Sequence, residues 1–189
     1  MSKTSIDEAA PFDWPGPGTV RRAGARDVPA LAELYRGTVA RHAPARYTPE
    51  QVVAWAAAPD DTARFTAFVL EHHTLLLETN GQAAAFCGVG EEGYVASLYV
   101  SAGHTRRGFG SRLLAYALAS RFAVCAMREF ETAASFLSRP VFAAAGFDRE
   151  HVEETLFNGV HFKRWRMRGN GPRVAALARA RVLRHTPQV

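Results

Sequence analysis

The chain has 189 residues and a formal net charge of +5, with 48% apolar and 22% charged residues. This length and composition are typical of one globular domain with a well-buried core. They exclude a bilayer-spanning chain, because no run approaches the ~20 apolar residues that a transmembrane helix needs, and a disulfide-rich secreted scaffold, because there are 2 cysteines.

The positive charge is concentrated at the C-terminal end. Residues 1–160 carry 15 Lys and Arg against 18 Asp and Glu, a net of −3, whereas residues 161–189 carry 8 basic residues and no acid. The N-terminus has no basic segment followed by an apolar core, which is the pattern of a signal peptide. We therefore expect a cytoplasmic protein in which Cys87 and Cys125 are free, buried thiols.

The first elements follow a short arm. Residues 1–18 are rich in Pro and Gly, which predicts a flexible N-terminal arm anchored by Phe12 and Trp14. Residues 19–22 predict a strand. Asp27 is then expected to cap a helix whose apolar residues share one face, at Leu31, Leu34 and Tyr35.

A second helix and a hairpin come next. Thr48, Pro49 and Gln51 form the pattern of a capping box with proline in the first turn. Residues 60–71 predict one or two further helical turns. Two apolar runs at 74–79 and 82–88 flank Asn80-Gly81, the pair typical of a tight hairpin turn.

The most informative segment is the strand at 94–100 and the loop that follows it. The loop passes through Thr105-Arg106-Arg107-Gly108-Phe109-Gly110-Ser111 into an amphipathic helix predicted over 110–125. Free amides and the helix dipole meet at such a helix start, and glycine lets an anion approach the backbone. The complete dinucleotide and nucleotide P-loop motifs are absent. The segment therefore predicts a site for a phosphorylated cofactor other than NAD or ATP.

The remaining pattern completes an α/β fold. It comprises a strand at 129–134, a short helix at 138–145 ending at Gly146, and a hairpin at 147–157 and 160–167. We expect one domain over residues 19–168, with a central mixed, mostly antiparallel sheet and helices on both faces. His72 and His73 are adjacent, so their side chains diverge, and we expect no metal site.

Residues 169–189 form a basic tail or helix with a rough apolar stripe at Val174, Leu177, Ala178, Val182 and Leu183. Three interpretations stay open. The segment is an amphipathic helix packed on the body or on a second subunit, a basic arm for an acidic partner, or a solvated tail.

In element order and in four blocks of sequence, the chain resembles the GNAT N-acetyltransferase superfamily over residues 19–168. The superfamily's acetyl-CoA signature matches residues 105–110 except at its first position, Thr105. Three more blocks are similar to small bacterial GNAT enzymes: Tyr47 to Gln51 with Trp55; residues 134–142 with Gly146-Phe147; and Asn158-Gly159-Val160 with Met167.

The resemblance implies an acetyl-CoA site between strands four and five, which splay apart. Backbone groups of Leu98, Tyr99 and Val100 would pair with the pantetheine arm. The segment Thr105, Arg106, Arg107, Gly108, Phe109, Gly110 and Ser111 would hold the pyrophosphate. A neutral amine would attack the thioester directly, since positioning supplies most of the catalysis in such enzymes.

Several positions depart from the family pattern. Phe142 stands where many members have a tyrosine that protonates the CoA thiolate, and it cannot donate a proton. Ala133 replaces an expected carboxylate, for which Glu131 on the same strand face is the substitute. Tyr94 aligns with a glutamate of some members, and Ser135 is expected to contact pantetheine or substrate. Tyr94, Glu131 and Ser135 are thus the candidate catalytic residues.

The sequence therefore predicts an acetyl-CoA-dependent N-acetyltransferase acting on an amine of a small molecule or protein. A homodimer is an open possibility, and neither a membrane nor a nucleic acid is expected as partner. Two alternatives stay open: a catalytically weak acyl-CoA-binding or regulatory module, and a nucleic-acid-associated protein that uses the basic C-terminal segment.

Overall fold

The computed structural model describes residues 13–184. The strands are β1 (Thr19–Arg22), β2 (Leu75–Thr79), β3 (Gln82–Val89), β4 (Tyr94–Val100), β5 (Glu129–Ala134), β6 (Arg149–Phe157) and β7 (Val160–Asn170). The helices are α1 (Val28–His42), α2 (Pro49–Ala56), α3 (Thr62–Leu70), α4 (Phe109–Val124), α5 (Arg139–Ala144) and α6 (Gly171–Leu183).

All seven strands form one sheet in the order β1-β2-β3-β4-β5-β7-β6. Every neighbouring pair is antiparallel except β4 and β5, which are parallel. The predicted mixed, mostly antiparallel sheet is confirmed. The Asn80-Gly81 turn between β2 and β3 has φ angles of 52° and 73°, as expected for a hairpin turn that needs two left-handed residues.

Helices cover both faces of the sheet, and each face has its own apolar core. On one face α1, α2 and α3 pack with Leu31, Tyr35, Phe65 and Phe86. On the other face α4, α5 and α6 pack around a core that includes Phe130. The sheet is therefore the middle layer of three, and a site between its strands has helices above and below it.

A β-bulge in β4 separates it from β5. Gly88 pairs with Ser97, but the next residue of β3, Val89, pairs with Val95, which leaves Ala96 as the extra residue. Pairing with β5 ends at the same point, at Val95 and Thr132. Because a bulge bends the strand that carries it, β4 diverges from β5 beyond Ala96. The predicted splay between the fourth and fifth strands is confirmed.

The helix starts agree with the sequence except at α1. Thr48 and Gln51 form the predicted capping box of α2. Asp27 does not cap α1 with its side chain. Its carboxylate instead accepts hydrogen bonds from the Gly24 amide and from the guanidinium of Arg21. Residues 62–70 form a helix of 9 residues, where the sequence predicted one or two turns over residues 60–71.

The C-terminal segment joins the body of the protein. Asn170 caps α6, its side-chain oxygen accepting from the amide of Arg173 at 3.1 Å. Val174, Ala178 and Val182 are buried in the same core as α4. Of the three interpretations, residues 171–183 fit a helix packed on the body.

The N-terminal arm and the two cysteines agree only in part with the predictions. Within the described part of the N-terminal arm, Trp14 packs edge-on against Tyr116, with ring centroids 5.6 Å apart; Phe12 lies outside the described residues. Cys87 is buried as expected, but Cys125 is exposed, because α4 ends at Val124 and the chain leaves the core there.

No helix among residues 13–184 is long and apolar enough to cross a membrane.

Candidate active site

A cavity of about 600 Å³ fills the gap between β4 and β5. The two strands form its sides, residues 104–111 form one end, and Phe142 of α5 and Trp55 of α2 close it from opposite faces of the sheet. The cavity exists because the bulge at Ala96 ends the strand pairing, so backbone groups that would meet another strand meet open space instead.

The backbone of β4 presents alternate residues to this cavity. The Ser101 amide donates to the Ala84 carbonyl on β3, and the Val100 carbonyl accepts from the Thr38 hydroxyl at 2.9 Å. Since polar groups of successive strand residues point to opposite sides, Leu98 and Val100 direct theirs towards the gap. By the same alternation the backbone of Tyr99 faces β3, and Tyr99 also lines the cavity.

The loop before α4 forms a positively charged end to the cavity. Arg106 and Gly108 both have left-handed backbones, with φ angles of 62° and 80°, and Gly108 is the N-cap of α4. A Cβ at Gly108 would lie 3.6 Å from Nε of Arg112. The Arg112 guanidinium therefore adjoins the helix start, in addition to Arg106 and Arg107. Exposed amides, a helix dipole and arginines together attract an anion.

Most of the predicted cofactor residues meet at this cavity. Those that line it are Leu98, Tyr99, Val100, Thr105, Arg106, Gly108, Phe109, Gly110, Ser111 and Phe142. Arg107 is exposed and does not line it. Phe142 is buried against Phe147, with ring centroids 5.3 Å apart, and brings no proton donor.

Of the three candidate catalytic residues, Ser135 alone lines the cavity. Its hydroxyl oxygen accepts from the amides of Leu137 and Ser138 and lies 3.0 Å from the Ser138 hydroxyl oxygen. These bonds make Ser135 a turn-forming residue that closes the end of β5 beside the cavity.

Tyr94 and Glu131 do not line the cavity. They pair with each other in the short parallel ladder, at the end of β4 away from the anion site. The Glu131 carboxylate lies 3.0 Å from the Arg166 guanidinium and 3.4 Å from that of Arg168. This double ion pair engages the Glu131 carboxylate outside the described cavity.

Sequence reasoning missed part of the cavity wall, including the polar residues Thr38 and His42 of α1. A periodic signal was available. They continue the stripe of Leu31, Leu34 and Tyr35 at spacings of four residues, so they lie on the helix face that packs on the sheet. A polar pair at the end of an apolar stripe is a signal for a cavity at that end of the helix.

The tyrosine at the cavity wall is kept protonated by its surroundings. Burial raises the pKa of Tyr99 above its ordinary value, against the effect of its hydrogen bonds with Tyr35 and Trp55. His104 has both ring nitrogens engaged, Nδ1 with the Ser101 hydroxyl at 2.7 Å and Nε2 with the Thr79 hydroxyl at 3.0 Å.

Among residues 13–184, no group of three or more His, Cys, Asp or Glu is placed to hold a metal ion.

Comparisons of the structure with solved proteins identify the same fold. A GCN5-related N-acetyltransferase from Rhodopseudomonas palustris is 22% identical, with 82% of this chain and 96% of that chain covered and a TM-score of 0.77. The PaiA N-acetyltransferase from Thermoplasma acidophilum, in complex with coenzyme A, is 15% identical, with 80% and 98% covered and a TM-score of 0.62. The structure of yncA from Salmonella typhimurium with its cofactor acetyl-CoA is 18% identical, with 82% and 94% covered and a TM-score of 0.54.

By sequence, no curated protein matches the chain. The family model of the acetyltransferase (GNAT) domain matches residues 44–168, which run from α2 to most of β7 and include the α4 anion site and both strands that border the cavity. The chain belongs to the GNAT acetyltransferase family.

Proposed function

We propose that this protein transfers the acetyl group of acetyl-CoA to a primary amine of a small molecule or protein, by direct attack within a ternary complex. The observation that carries the proposal is the gap between β4 and β5, which runs from the bulge at Ala96 to the positively charged start of α4. One end suits a diphosphate and the other an extended, mainly apolar arm.

Each part of the cavity has a role in this proposal. The amides of residues 106–111 bind the diphosphate at the α4 N-terminus, assisted by Arg106 and Arg112. The Leu98 and Val100 backbones offer hydrogen bonds along the pantetheine arm, with the Val100 carbonyl already held by Thr38. The backbone of Ala96, left without a β3 partner by the bulge, adjoins the place where the thioester carbonyl would be polarised.

Direct attack is favoured because the described cavity residues offer no thiol for a covalent intermediate. Cys87 is buried, burial raises the pKa of its thiol to about 12, and Cys125 lies outside the cavity. The amine nitrogen therefore forms the new C–N bond itself, and the C–S electron pair leaves on sulfur. Phe142 cannot protonate that thiolate, which is stable enough to depart without a general acid.

The test is calorimetric titration of acetyl-CoA and of CoA into the protein and two variants. Gly108→Glu places bulk and negative charge at the N-cap of α4, and we expect it to weaken binding at least ~100-fold. Gly81→Glu is the matched control, because Gly81 also has a positive φ, of 73°, with open space around it, but lies in the β2–β3 turn. We expect micromolar binding by the unmodified protein and by Gly81→Glu. No binding by the unmodified protein would contradict the proposal.

A second candidate function is a CoA-binding module with little turnover. It is favoured by Phe142 and by the absence of Asp and Glu among the described residues that line the cavity. Thiol release from acetyl-CoA in the presence of amines separates the two. Turnover supports the transferase, whereas tight binding with no thiol release from any amine supports the binding module.

A further inference from the structure

The side chain of His42 lines the described cavity and has no role in the proposal above. It lies at the C-terminal end of α1, one turn beyond Thr38, and lines the cavity. Its Nε2 atom is buried and has no hydrogen-bond partner. Because a buried nitrogen without a partner costs free energy, a bound molecule that supplies a partner would be stabilised there.

The other titratable groups that line the described cavity are unsuited to accept a proton near neutral pH. No carboxylate lines it. Burial holds Tyr99 in its protonated form by raising its pKa, both nitrogens of His104 are engaged, and the guanidinium of Arg106 is a cation without an acceptor. A neutral imidazole has one ring nitrogen that can accept a proton, which leaves His42 as the suitable group.

We infer that His42 is the general base of the reaction. Its Nε2 atom, buried in the free protein, turns into the cavity and takes a proton from the acceptor amine, directly or through one water molecule. The inference rests on the proposed function. The imidazole acts in its neutral form with the hydrogen on Nδ1, so that the Nε2 lone pair is the acceptor.

When the amine arrives as an ammonium ion, His42 takes the first proton and later passes it to bulk water. The freed nitrogen lone pair forms the C–N bond to the acetyl carbonyl carbon, the C–S bond breaks, and its electron pair leaves on sulfur. The second nitrogen proton goes to that thiolate, so the products are the acetamide, CoA thiol and one proton in solution.

The test compares His42→Gln with His151→Gln, a matched control on β6 whose side chain is exposed and outside the cavity. The acceptor probes are benzylamine, which suits the aromatic wall of Trp55 and Tyr99, L-phenylalaninamide and an alanine tripeptide. Thiol release gives kcat and KM from pH 5 to 9, and calorimetry gives the Kd for acetyl-CoA.

We expect His42→Gln to lower kcat by about 10²- to 10⁴-fold and to leave the Kd for acetyl-CoA within ~3-fold. His151→Gln should match the unmodified protein. Addition of imidazole to His42→Ala should restore part of kcat, a rescue that a purely structural role would not give. Thermal melting of each variant checks that it folds.

Three outcomes overturn the inference, and they are distinguishable from failure of the proposed function. An unchanged kcat and pH profile in His42→Gln excludes the base. A raised Kd for acetyl-CoA with unchanged kcat assigns His42 to cofactor binding. An unmodified protein that binds acetyl-CoA and acetylates none of the three probes contradicts the base and leaves cofactor binding intact, whereas absence of acetyl-CoA binding removes the proposed function itself.

Discussion

The indole N–H of Trp55 donates a hydrogen bond of 3.2 Å to the hydroxyl oxygen of Tyr99. This bond joins α2 to β4 at the wall of the cavity, and Tyr99 also stacks on Phe86, with ring centroids 5.1 Å apart. This polar contact, within an aromatic cluster, thus holds the helix that closes one side of the cavity to the strand that lines it.

Replacement of Tyr99 by Phe should remove this contact and keep the ring packing. We expect the free energy of unfolding to fall by about 1 kcal/mol, since the indole N–H loses its partner. Because burial keeps the Tyr99 hydroxyl protonated by raising its pKa, kcat should fall far less in Tyr99→Phe than in His42→Gln. Urea denaturation and steady-state rates measure the two effects, and a fall in kcat as large as that of His42→Gln would contradict the assignment of the base to His42.

Asp27 should make stability depend on pH in the acid range. Hydrogen bonds from Arg21 lower the pKa of Asp27 from 3.8 to about 2, with burial opposing them and the Gly24 amide assisting. A lowered folded pKa contributes stability above the unfolded value, and that contribution is lost as pH falls from about 4 to about 2. Allowing for the half-exposed Arg21, we expect Asp27→Asn to cost roughly 1–2 kcal/mol at pH 6.

The measurement for Asp27 is urea denaturation at pH 6 and pH 3. The difference between the unmodified protein and Asp27→Asn should shrink at the lower pH. Asp60→Asn is the control, because the Asp60 side chain is 66% exposed in its ion pair with Arg36 and should contribute less than ~1 kcal/mol. An equal difference at both pH values would show that the ion pair has no part in folding stability.

The C-terminal helix should behave as part of the core. Val174 is fully buried beside α4, whereas the Leu183 side chain is 61% exposed. We expect Val174→Ala to lower the free energy of unfolding by about 1–3 kcal/mol, because it leaves a cavity. Leu183→Ala should stay within ~0.5 kcal/mol. Equal, small effects at both positions in urea denaturation would mean that α6 does not stabilise the fold.

Much of the fold could be predicted because its signals are local. The capping box at Thr48 and Gln51, the Asn80-Gly81 turn and the glycines at 108 and 110 act through neighbouring backbone groups, and each was predicted in place. The prediction that the Asp27 side chain caps α1 was wrong. Its carboxylate binds Arg21 of β1, which competes with the amides at the start of the helix.

The candidate site was predicted in part. The loop at 105–111 depends on the order of residues along the chain, so most of its predicted members line the cavity. Glu131 and Tyr94 were assigned by strand alternation and family alignment, and neither lines it. The strand register sets Glu131 opposite Arg168, and local sequence does not determine which strand lies beside β5.

The sequence by itself determined the strands and helices, the anion-binding turn and the family resemblance, since periodicity, capping and glycine conformations are properties of consecutive residues. Only the tertiary structure decided that Ala96 is the bulge residue, that α6 completes the core, and that His42 rather than Glu131 lines the cavity. Those outcomes depend on how distant segments pair and pack, because a shift of one residue in register moves every side chain of a strand to the opposite face.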